Sequence, residues 1–305
     1  MCSDLLLARS VNIFCGNQVK LMLETTTTEE ATLHAPHLDE REERKANQHI
    51  SASAQVIHEV IRRQGEDELH RTSSGLAWSG LAAGLSMGFS LITEGLLYTY
   101  LPDAQWKPLI SKLGYSVGFL IVIIGRQQLF TENTLTPIIP LLARRNVECL
   151  KNVLRLWAVV FAANMVGTLI VAWVLGHTNI FEPQIRESFK AISLEATGNG
   201  FGLSLLKGIF SGWLIALMVW MLGGLKEVNV SIIVIITYLI GIAGLTHIIA
   251  GSVEALYLTT TGAIGWLQAI GSFMLPTLIG NVLGGVSLIA VVNHAQVVAS
   301  GGMRE

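Results

Sequence analysis

The segment from Gly244 to Glu254 places groups that can do chemistry in apolar surroundings. It contains His247 and Glu254 with a threonine, a serine and a second glycine, inside a hydrophobic stretch long enough to cross a bilayer. A polar segment broken by glycine is costly at membrane depth unless it packs against protein or lines a water-filled path. We therefore interpret it as a candidate functional site. The alternative is a histidine that only hydrogen-bonds a neighbouring helix.

The composition predicts a polytopic membrane protein. Of the 305 residues, 51% are hydrophobic and 14% are charged, whereas about 25% of the residues in a soluble domain are charged. No basic tract indicates a nucleic-acid partner. The cysteines Cys2, Cys15 and Cys149 lack the paired spacing of a disulfide framework or a metal site, so we predict neither a metal nor a cofactor.

The N-terminal part is polar and precedes the first apolar tract. Residues 1–50 are predicted to be a disordered cytoplasmic segment. Met22 is an alternative start, which N-terminal sequencing of the native protein would decide. Residues 51–73 show the periodicity of an amphipathic cytoplasmic helix. We favour a solvated helix ahead of the membrane, the alternative being a helix that lies under a pore and influences gating. Its apolar positions are Val56, Ile57, Val60 and Ile61.

Six apolar segments follow, and each can supply the roughly 20 residues that a spanning helix needs. They predict an all-α membrane domain of six transmembrane helices over residues 74–297, with a cytoplasmic tail at 298–305. The second and fifth segments are longer than one span, as expected if each consists of two half-helices joined by a loop. The segments cover about residues 76–101, 115–142, 153–175, 201–222, 230–258 and 266–292.

The basic residues in the short loops predict the orientation. They concentrate before the first segment and between the second and third, whereas the loop between the fifth and sixth segments has none. Both termini are therefore expected in the cytoplasm, which requires an even number of spans. The residues concerned are Arg62, Arg63, Arg71, Arg144, Arg145 and Lys151.

Interruptions at corresponding places in the two halves of the chain indicate an inverted repeat with a site near the midplane. The N-terminus of a half-helix offers unpaired N–H groups and a partial positive charge. Such a site would suit a small anion.

Two motifs carry a resemblance to a known family. The sequence Leu-Phe-Thr-Glu-Asn-Thr-Leu at residues 129–135, in the interrupted second segment, and His247 in the fifth resemble the formate/nitrite transporter family. The resemblance covers roughly residues 70–297. The wider patterns at residues 126–134 and 251–254 resemble its uncharacterised enterobacterial inner-membrane branch.

This resemblance implies an aquaporin-like protomer in a homopentamer, in the cytoplasmic membrane of a bacterium, that passes small monovalent anions such as formate, nitrite or hydrosulphide. It also implies that His247 is the central pore histidine and that Thr131 hydrogen-bonds it, with Thr246, Gly251 and Gly212 at other pore positions. The two implied constrictions consist of Phe119, Leu129 and Ile240, and of Tyr115, Phe130 and Ile215. Such constrictions would exclude ions and pass a neutral acid, and the histidine between them could hand a proton to the solute near neutral pH.

The chain departs from the family pattern at several pore positions. Gln128 and Thr246 stand where acidic residues are usual, and Gly212 and Gly251 stand where asparagines are usual. The lysine expected ahead of the fourth helix aligns near residues 196–197 and is absent there. Since glycine replaces two amide side chains, we expect a wider chamber that takes a larger or different solute.

Four charged residues occupy apolar segments where the resemblance does not lead us to expect them: Arg126, Glu132, Glu94 and Glu254. An ionisable group at this depth requires a partner. We therefore predict that Arg126 pairs with one of the glutamates, Glu132 or Glu94 being the first candidates. The other interpretation of Glu132 is a capping role at the start of a half-helix.

The favoured function is a channel or secondary transporter for a small monovalent anion or its neutral acid. The alternative is a family member that has lost transport and acts as a membrane structural or sensing protein, or passes a different solute. An enzyme using His247, Ser252 and Glu254 is disfavoured, because neither Gly-x-Ser-x-Gly nor His-Glu-x-x-His occurs. A water or glycerol channel is disfavoured because the paired Asn-Pro-Ala loops of aquaporins are missing.

Overall fold

The computed structural model describes residues 53–225 and 227–299, and every regular element in these two ranges is helical. The predictions for residues 1–50 and for most of the C-terminal tail lie outside the described residues. The α-helices are α1 (Ala54–His70), α2 (Ser73–Tyr100), α3 (Lys107–Ser111), α4 (Tyr115–Ile124), α5 (Ile138–Arg144), α6 (Val147–His177), α7 (Pro183–Thr197), α8 (Phe201–Gly223), α9 (Val230–Ile242), α10 (Ile248–Thr260), α11 (Trp266–Gln268), α12 (Leu275–Leu283) and α13 (Val292–Ala299).

Five helical stretches within the described residues are long and apolar enough to cross a membrane, which confirms the polytopic class. Two shorter helices, α9 and α10, are also apolar. The second long stretch joins α3 to α4 through a 3₁₀ turn, and the last joins α11 to α12 through a π-helical turn. The five stretches are Ser73–Tyr100, Lys107–Ile124, Val147–His177, Phe201–Gly223 and Trp266–Ser287.

Polar side chains mark the starts of these helices. The side chain of Thr72 accepts a hydrogen bond from Gly75 N at the start of α2, and that of Asn146 accepts one from Cys149 N at the start of α6. Asn229 caps α9 in the same way. Because the first backbone N–H groups of a helix have no partner within it, these side chains define where each apolar run becomes helical.

The chain is non-helical at two places where the sequence predicts interruptions. After α4 it passes through Arg126, whose φ is +49°, and continues to a 3₁₀ turn at Glu132–Thr134 before α5. After α9 it passes through Gly244, whose φ is +57°, and α10 begins directly after His247. Glycine tolerates positive φ at little cost, whereas arginine does so at some strain.

Two helix pairs, one in each half of the chain, make matching close contacts. Helix α2 packs on α6, and α8 packs on α12. A Cβ atom on Gly84 of α2 would lie 2.3 Å from the backbone oxygen of Asn164, and one on Gly212 of α8 would lie 2.3 Å from that of Asn281. Glycine thus lets the two helices of each pair approach closely.

Helix α1 is docked rather than solvated, which corrects the favoured interpretation. Ile61 and Leu69 are buried, and a Cβ atom on Gly65 would collide with the backbone oxygen of Thr136. Arg155 of α6 donates to the Leu69 oxygen at 2.7 Å and to the Arg71 oxygen at 3.1 Å. Of the predicted apolar face, Ile61 is buried whereas Val56 is exposed, and the helix packs on α5 and α8.

Helix α7 lies in a region that the sequence analysis treated as a loop of mixed charge. Its buried residues Ile185, Phe189 and Ile192 pack against α2 and α10. Their spacing follows the helical period. Because charged residues lie between them, these positions do not form a continuous apolar run, and a search for such runs does not find the helix.

Candidate functional site

His247 is held between the two non-helical stretches by hydrogen bonds to both ring nitrogens. It is 1% exposed. Its Nδ1 accepts a hydrogen bond from Ala250 N at 3.2 Å, and its Nε2 lies 2.8 Å from Thr131 Oγ1. A nitrogen that accepts carries no proton, so the network assigns the proton of the neutral ring to Nε2, which donates to Thr131. The Thr131 hydroxyl hydrogen is then free to donate to another acceptor.

Aromatic rings of α4 cover one face of this pair. The Phe119 ring meets the imidazole edge-on at a centroid distance of 4.9 Å, and the Tyr115 ring lies 5.4 Å from the Phe119 ring. Leu129, Ile215 and Ile240, from the predicted constrictions, are fully buried. An aromatic side chain thus lies directly against the imidazole, and desolvating an ion beside it is costly. The two constrictions as such stay predictions.

Phe130 packs against two aromatic rings of α6. Its ring packs against Trp157 and Phe161 of α6 at centroid distances of 5.8 and 5.1 Å. Its backbone N–H donates to Asn164 Oδ1 at 2.9 Å. Its place in a constriction remains a prediction.

Two asparagines that the sequence analysis did not single out hold the non-helical stretches. Asn164 Nδ2 donates to the oxygens of Gly80 and Gln128, while its Oδ1 accepts from the backbone of Phe130. Asn281 Nδ2 donates to the oxygens of Gly208 and Thr246, while its Oδ1 accepts from Ile248 N. One amide in each half thus satisfies backbone groups that the interrupted helices leave without partners.

A cavity of about 90 Å³ reaches His247 from one side. We call it the His247 cavity. Lys112 and Lys207 line this cavity but were not among the predicted site residues. Lys112 lies in the predicted loop between the first two spans, and Lys207 lies in the predicted fourth span. Lys207 Nζ donates to Asn199 Oδ1 at 3.1 Å. The cavity is lined by Glu94, Lys112, Tyr115, Glu195, Ala196, Lys207, Gly241, Gly244, Leu245, Thr246, His247, Gly251, Glu254 and Phe273.

The ion pair in this cavity differs from the predicted one. Lys112 Nζ lies 2.7 Å from Glu94 Oε1 and 3.8 Å from Glu195 Oε1. Arg126 is exposed and forms no ion pair with any carboxylate among residues 53–225 and 227–299. The reason is the positive φ of Arg126, which places it in the turn after α4, whereas Lys112 lies near Glu94.

The two glycines expected to widen the chamber do not leave it empty. A Cβ atom on Gly212 would meet the backbone of Asn281, so Gly212 lies in a helix contact. A Cβ atom on Gly251 would lie 2.4 Å from the Phe273 ring, which occupies the space of a side chain there. The expectation of a wider chamber is therefore wrong at both positions.

A second pocket, of about 440 Å³, lies beside α1, and we call it the α1 pocket. Arg126, Gln128 and Glu132 line it together with Glu68. Thr136 Oγ1 donates to Glu68 Oε2 at 2.5 Å, and Gln128 Nε2 lies 3.5 Å from Glu68 Oε1. Burial raises the pKa of the Glu68 carboxyl, since loss of water disfavours the charged form.

The two pockets lie at opposite ends of α4. Tyr115, at its start, lines the His247 cavity, and Ile123, near its end, lines the α1 pocket. Eight residues of helix separate them by about 12 Å. Phe119 lies between these residues and contacts the imidazole of His247. His247 therefore lies beside the helix that joins the two pockets.

Fold and site together define a polytopic membrane protein of the channel and transporter class. The chain belongs to the formate/nitrite transporter family, whose model matches residues 55–295. It is 42% identical over 248 residues to the inner membrane protein YfdC of Escherichia coli, covering 81% of this chain and 80% of the relative.

More distant similarities agree with this membership. The chain is 27% identical to the uncharacterized transporter YrhG of Bacillus subtilis, over 62% of this chain and 72% of that one. A solved pentameric formate channel with formate bound has the same fold, with a TM-score of 0.61 and 19% identity. That match covers 74% of this chain and 98% of the channel.

Proposed function

We propose that this protein is a channel or secondary transporter for a small monovalent anion or its neutral acid, and that the path passes His247. The observation that carries this proposal is the fully buried His247–Thr131 pair, 2.8 Å apart, between a cavity and a pocket at opposite ends of α4. The formate bound to the structurally similar channel supports a solute of that class.

The apolar ring around His247 selects for the neutral form of the solute. Phe119, Ile215 and Ile240 offer no hydrogen bonds to replace the water around an ion. The Thr131 hydroxyl offers one donor to a solute oxygen or sulfur at the point where the path is narrowest. His247 orients that hydroxyl, because the Nε2–H group donates a hydrogen bond to the Thr131 oxygen.

We further propose the membrane arrangement that the family suggests. Helices α9 and α10, with the stretch between them, make a sixth crossing, and α4 with α5 forms the corresponding interrupted one. Helices α1 and α13 contact each other, which supports both ends of the membrane domain lying on one side, the cytoplasmic side of a bacterial inner membrane. A reporter protein fused to either terminus would then be active only in the cytoplasm.

Purified protein in proteoliposomes tests the proposed function. Formate, nitrite and hydrosulphide uptake would be followed by stopped flow over about pH 5 to 8, with glycerol as an uncharged comparison and protein-free vesicles as a control. We expect uptake of at least one acid solute above the vesicle control and no acceleration of glycerol. Glycerol uptake without acid uptake would contradict the proposal.

A second candidate is a membrane structural or sensing protein that has lost transport. The contact of Glu68 with Thr136 favours it, since α1 thereby covers the α1 pocket. Absence of uptake for every solute, both in the full chain and in a Glu68→Ala variant with a loosened α1, would support this candidate over transport.

A further inference from the structure

A polar cavity of about 460 Å³ lies where α6, α7 and α10 meet, and we call it the Arg186 cavity. It is separate from the proposed path, because none of the residues that line it also lines the His247 cavity or the α1 pocket. Its lining includes Gly176, Arg186, Glu187, Lys190, Tyr257 and Thr261.

Arg186 brings a positive charge into this cavity without a partner to neutralise it. Its Nε atom is buried and has no hydrogen-bond partner, and its guanidinium forms no ion pair within residues 53–225 and 227–299. Lys190, one helical turn further along α7, adds a second cation to the lining, whereas Glu187 adds one carboxylate. A buried N–H group without an acceptor is costly. Because a planar guanidinium pairs with two oxygens of a phosphate group, the cavity suits a phosphate that carries a net negative charge.

An apolar groove of about 400 Å³ lies on the outer side of the same two helices, α6 and α10. Four of its lining side chains are large, apolar and exposed in the single chain. The fifth, Thr260, already donates its hydroxyl to a backbone oxygen of its own helix at 2.8 Å. The groove therefore suits a hydrocarbon chain. The four apolar residues are Leu169, Ile170, Trp173 and Trp266.

The Arg186 cavity and the groove adjoin each other at Gly176. A Cβ atom there would lie 2.7 Å from Thr261 Cγ2, in the cavity lining, and 3.7 Å from Thr260 Oγ1, in the groove lining. Along α6, Gly176 is about 32 Å from Arg155, which bonds the backbone of α1. This distance is about the thickness of the hydrocarbon core of a bilayer. The cavity therefore lies at the level of lipid headgroups, on the side opposite α1, and the groove extends from it along the hydrocarbon core.

We infer that the Arg186 cavity and the adjoining groove bind one anionic glycerophospholipid, with its phosphate at Arg186 and Lys190 and an acyl chain along Ile170 and Trp173. A phosphate next to a hydrocarbon chain matches both parts of the site at once. Tryptophans such as Trp173 and Trp266 are typical of the membrane interface. This inference depends on the membrane placement of the helices and is independent of the transported solute.

Lipid binding to the full chain in mild detergent tests the inference by native mass spectrometry. The protein would be titrated with phosphatidylglycerol or with phosphatidylcholine of the same acyl chains. We expect phosphatidylglycerol to reach half occupancy at the lower concentration. Arg186→Gln keeps much of the side-chain length and removes the charge, so its affinity for phosphatidylglycerol should fall about tenfold or more.

Lys151→Gln provides the matched control. Lys151 is an exposed cation of α6 outside the Arg186 cavity, and its loss should leave phosphatidylglycerol binding unchanged. Equal affinities of Arg186→Gln and the wild type, or equal losses in the two glutamine variants, would overturn the inference. Inorganic phosphate should not raise the thermal midpoint of the wild type. A rise equal to that with phosphatidylglycerol would assign the cavity to free phosphate instead of a lipid.

A photoreactive phosphatidylglycerol tests the groove in the wild type and does not require any variant to fold. With the reactive group on an acyl chain, peptides containing Ile170 and Trp173 should be labelled in proteoliposomes, and excess unlabelled phosphatidylglycerol should suppress the labelling. Phe210 of α8, also exposed and apolar, reports ordinary contact with the bilayer. Labelling of the α6 peptides that is no stronger than that around Phe210, or that unlabelled lipid does not suppress, would overturn the inference. Absence of labelling on α6 would also overturn it and would assign the groove to a neighbouring copy of the chain.

Discussion

At the scale of single residues, His247 is positioned as a neutral hydrogen-bond donor. Protonating Nδ1 would set two N–H groups against each other at the Ala250 contact, now 3.2 Å long with Nδ1 as acceptor. In this arrangement the ring orients the Thr131 hydroxyl. Transfer of a proton from His247 to the solute stays a prediction.

Replacing Thr131 by valine tests this orientation. Valine keeps the volume but removes the hydroxyl that contacts His247 Nε2. A neutral hydrogen bond contributes about 0.5–1.5 kcal/mol, so formate uptake should fall roughly threefold to tenfold in stopped-flow assays. Thr131→Ser keeps the hydroxyl and should retain most of the uptake. Equal uptake by the valine and wild-type proteins would show that the hydroxyl does not contact the solute.

The sequence identified some of these residues but not others, for physical reasons. His247 and Thr131 stand out because polar groups are rare in apolar segments and because they match a family motif. Lys112 and Asn281 were not identified from the sequence, because their roles depend on contacts with residues far away in the chain. Glu94 was flagged as needing a partner, yet nothing local distinguishes Lys112 from Arg126 as that partner.

At the scale of elements, the two asparagine contacts hold the non-helical stretches against the long helices. Asn164 and Asn281 are fully buried and each bonds backbone groups from two other segments. The corresponding close contacts of Gly84 and Gly212 leave no room for larger side chains. By bonding backbone groups that the helix interruptions leave without partners, the two asparagine side chains hold the backbone around His247 in one conformation.

Asn164→Ala should therefore destabilise the protein. It leaves the Gly80 and Gln128 oxygens and the Phe130 N–H without their present partner, and unsatisfied buried groups cost about 1–3 kcal/mol each, with partial relaxation. We expect a loss of about 2–5 kcal/mol, seen as a lower midpoint of thermal unfolding in detergent. Asn152→Ala, at a half-buried position on the same helix, is the control. Equal midpoints for the two variants would refute the role of Asn164.

The docking of α1 should depend on pH through Glu68. Burial raises the pKa of this carboxyl above its usual value of 4.5. Because the pKa of Glu68 is raised in the docked state, docking favours the protonated carboxyl. Its contribution to the stability of the docked helix is therefore fully present below pH 4.5 and is lost as the pH rises through the raised pKa. Hydrogen exchange of α1, corrected for the intrinsic effect of pH, should therefore be faster at about pH 8 than at about pH 5.

Glu68→Gln provides the control for this pH effect. The amide stays neutral at both pH values, so α1 should exchange equally at each after correction. A pH dependence that persists in the glutamine variant would assign the effect to another group on α1 or in the α1 pocket.

Continuous apolar runs located four of the five long helical stretches, since length and hydropathy define them. The second stretch begins at Lys107, in a segment predicted to be a loop. They could not reveal that α1 is docked or that α7 forms, because both helices are amphipathic and their buried faces depend on tertiary contacts. Ile61 and Phe189 are fully buried although each lies in a charged segment.

At the scale of the whole molecule, large apolar side chains face outward from several long helices. Trp78, Leu154, Val166 and Phe210 are all exposed in the single chain. They suit contact with lipid tails or with neighbouring copies. The resemblance of the sequence to the formate/nitrite transporter family implies a homopentamer, which stays a prediction.

Native mass spectrometry of the detergent-solubilised protein tests the assembly. We expect a main species containing five copies of the 33.0 kDa chain. Crosslinking in native membranes, before any detergent is added, should give the same highest product. A stable monomer under both conditions would contradict the proposed pentamer without affecting the path through each protomer.

The most direct test of a path centred on His247 is formate uptake by proteoliposomes containing His247→Ala beside His177→Ala. His177 is exposed at the end of α6 and stacks on Trp173. With both proteins folded to wild-type thermal midpoints, we predict that His247→Ala loses tenfold or more of the uptake, about 1.4 kcal/mol or more in barrier, while His177→Ala matches the wild type. Equal uptake by the two variants would contradict a solute path through His247.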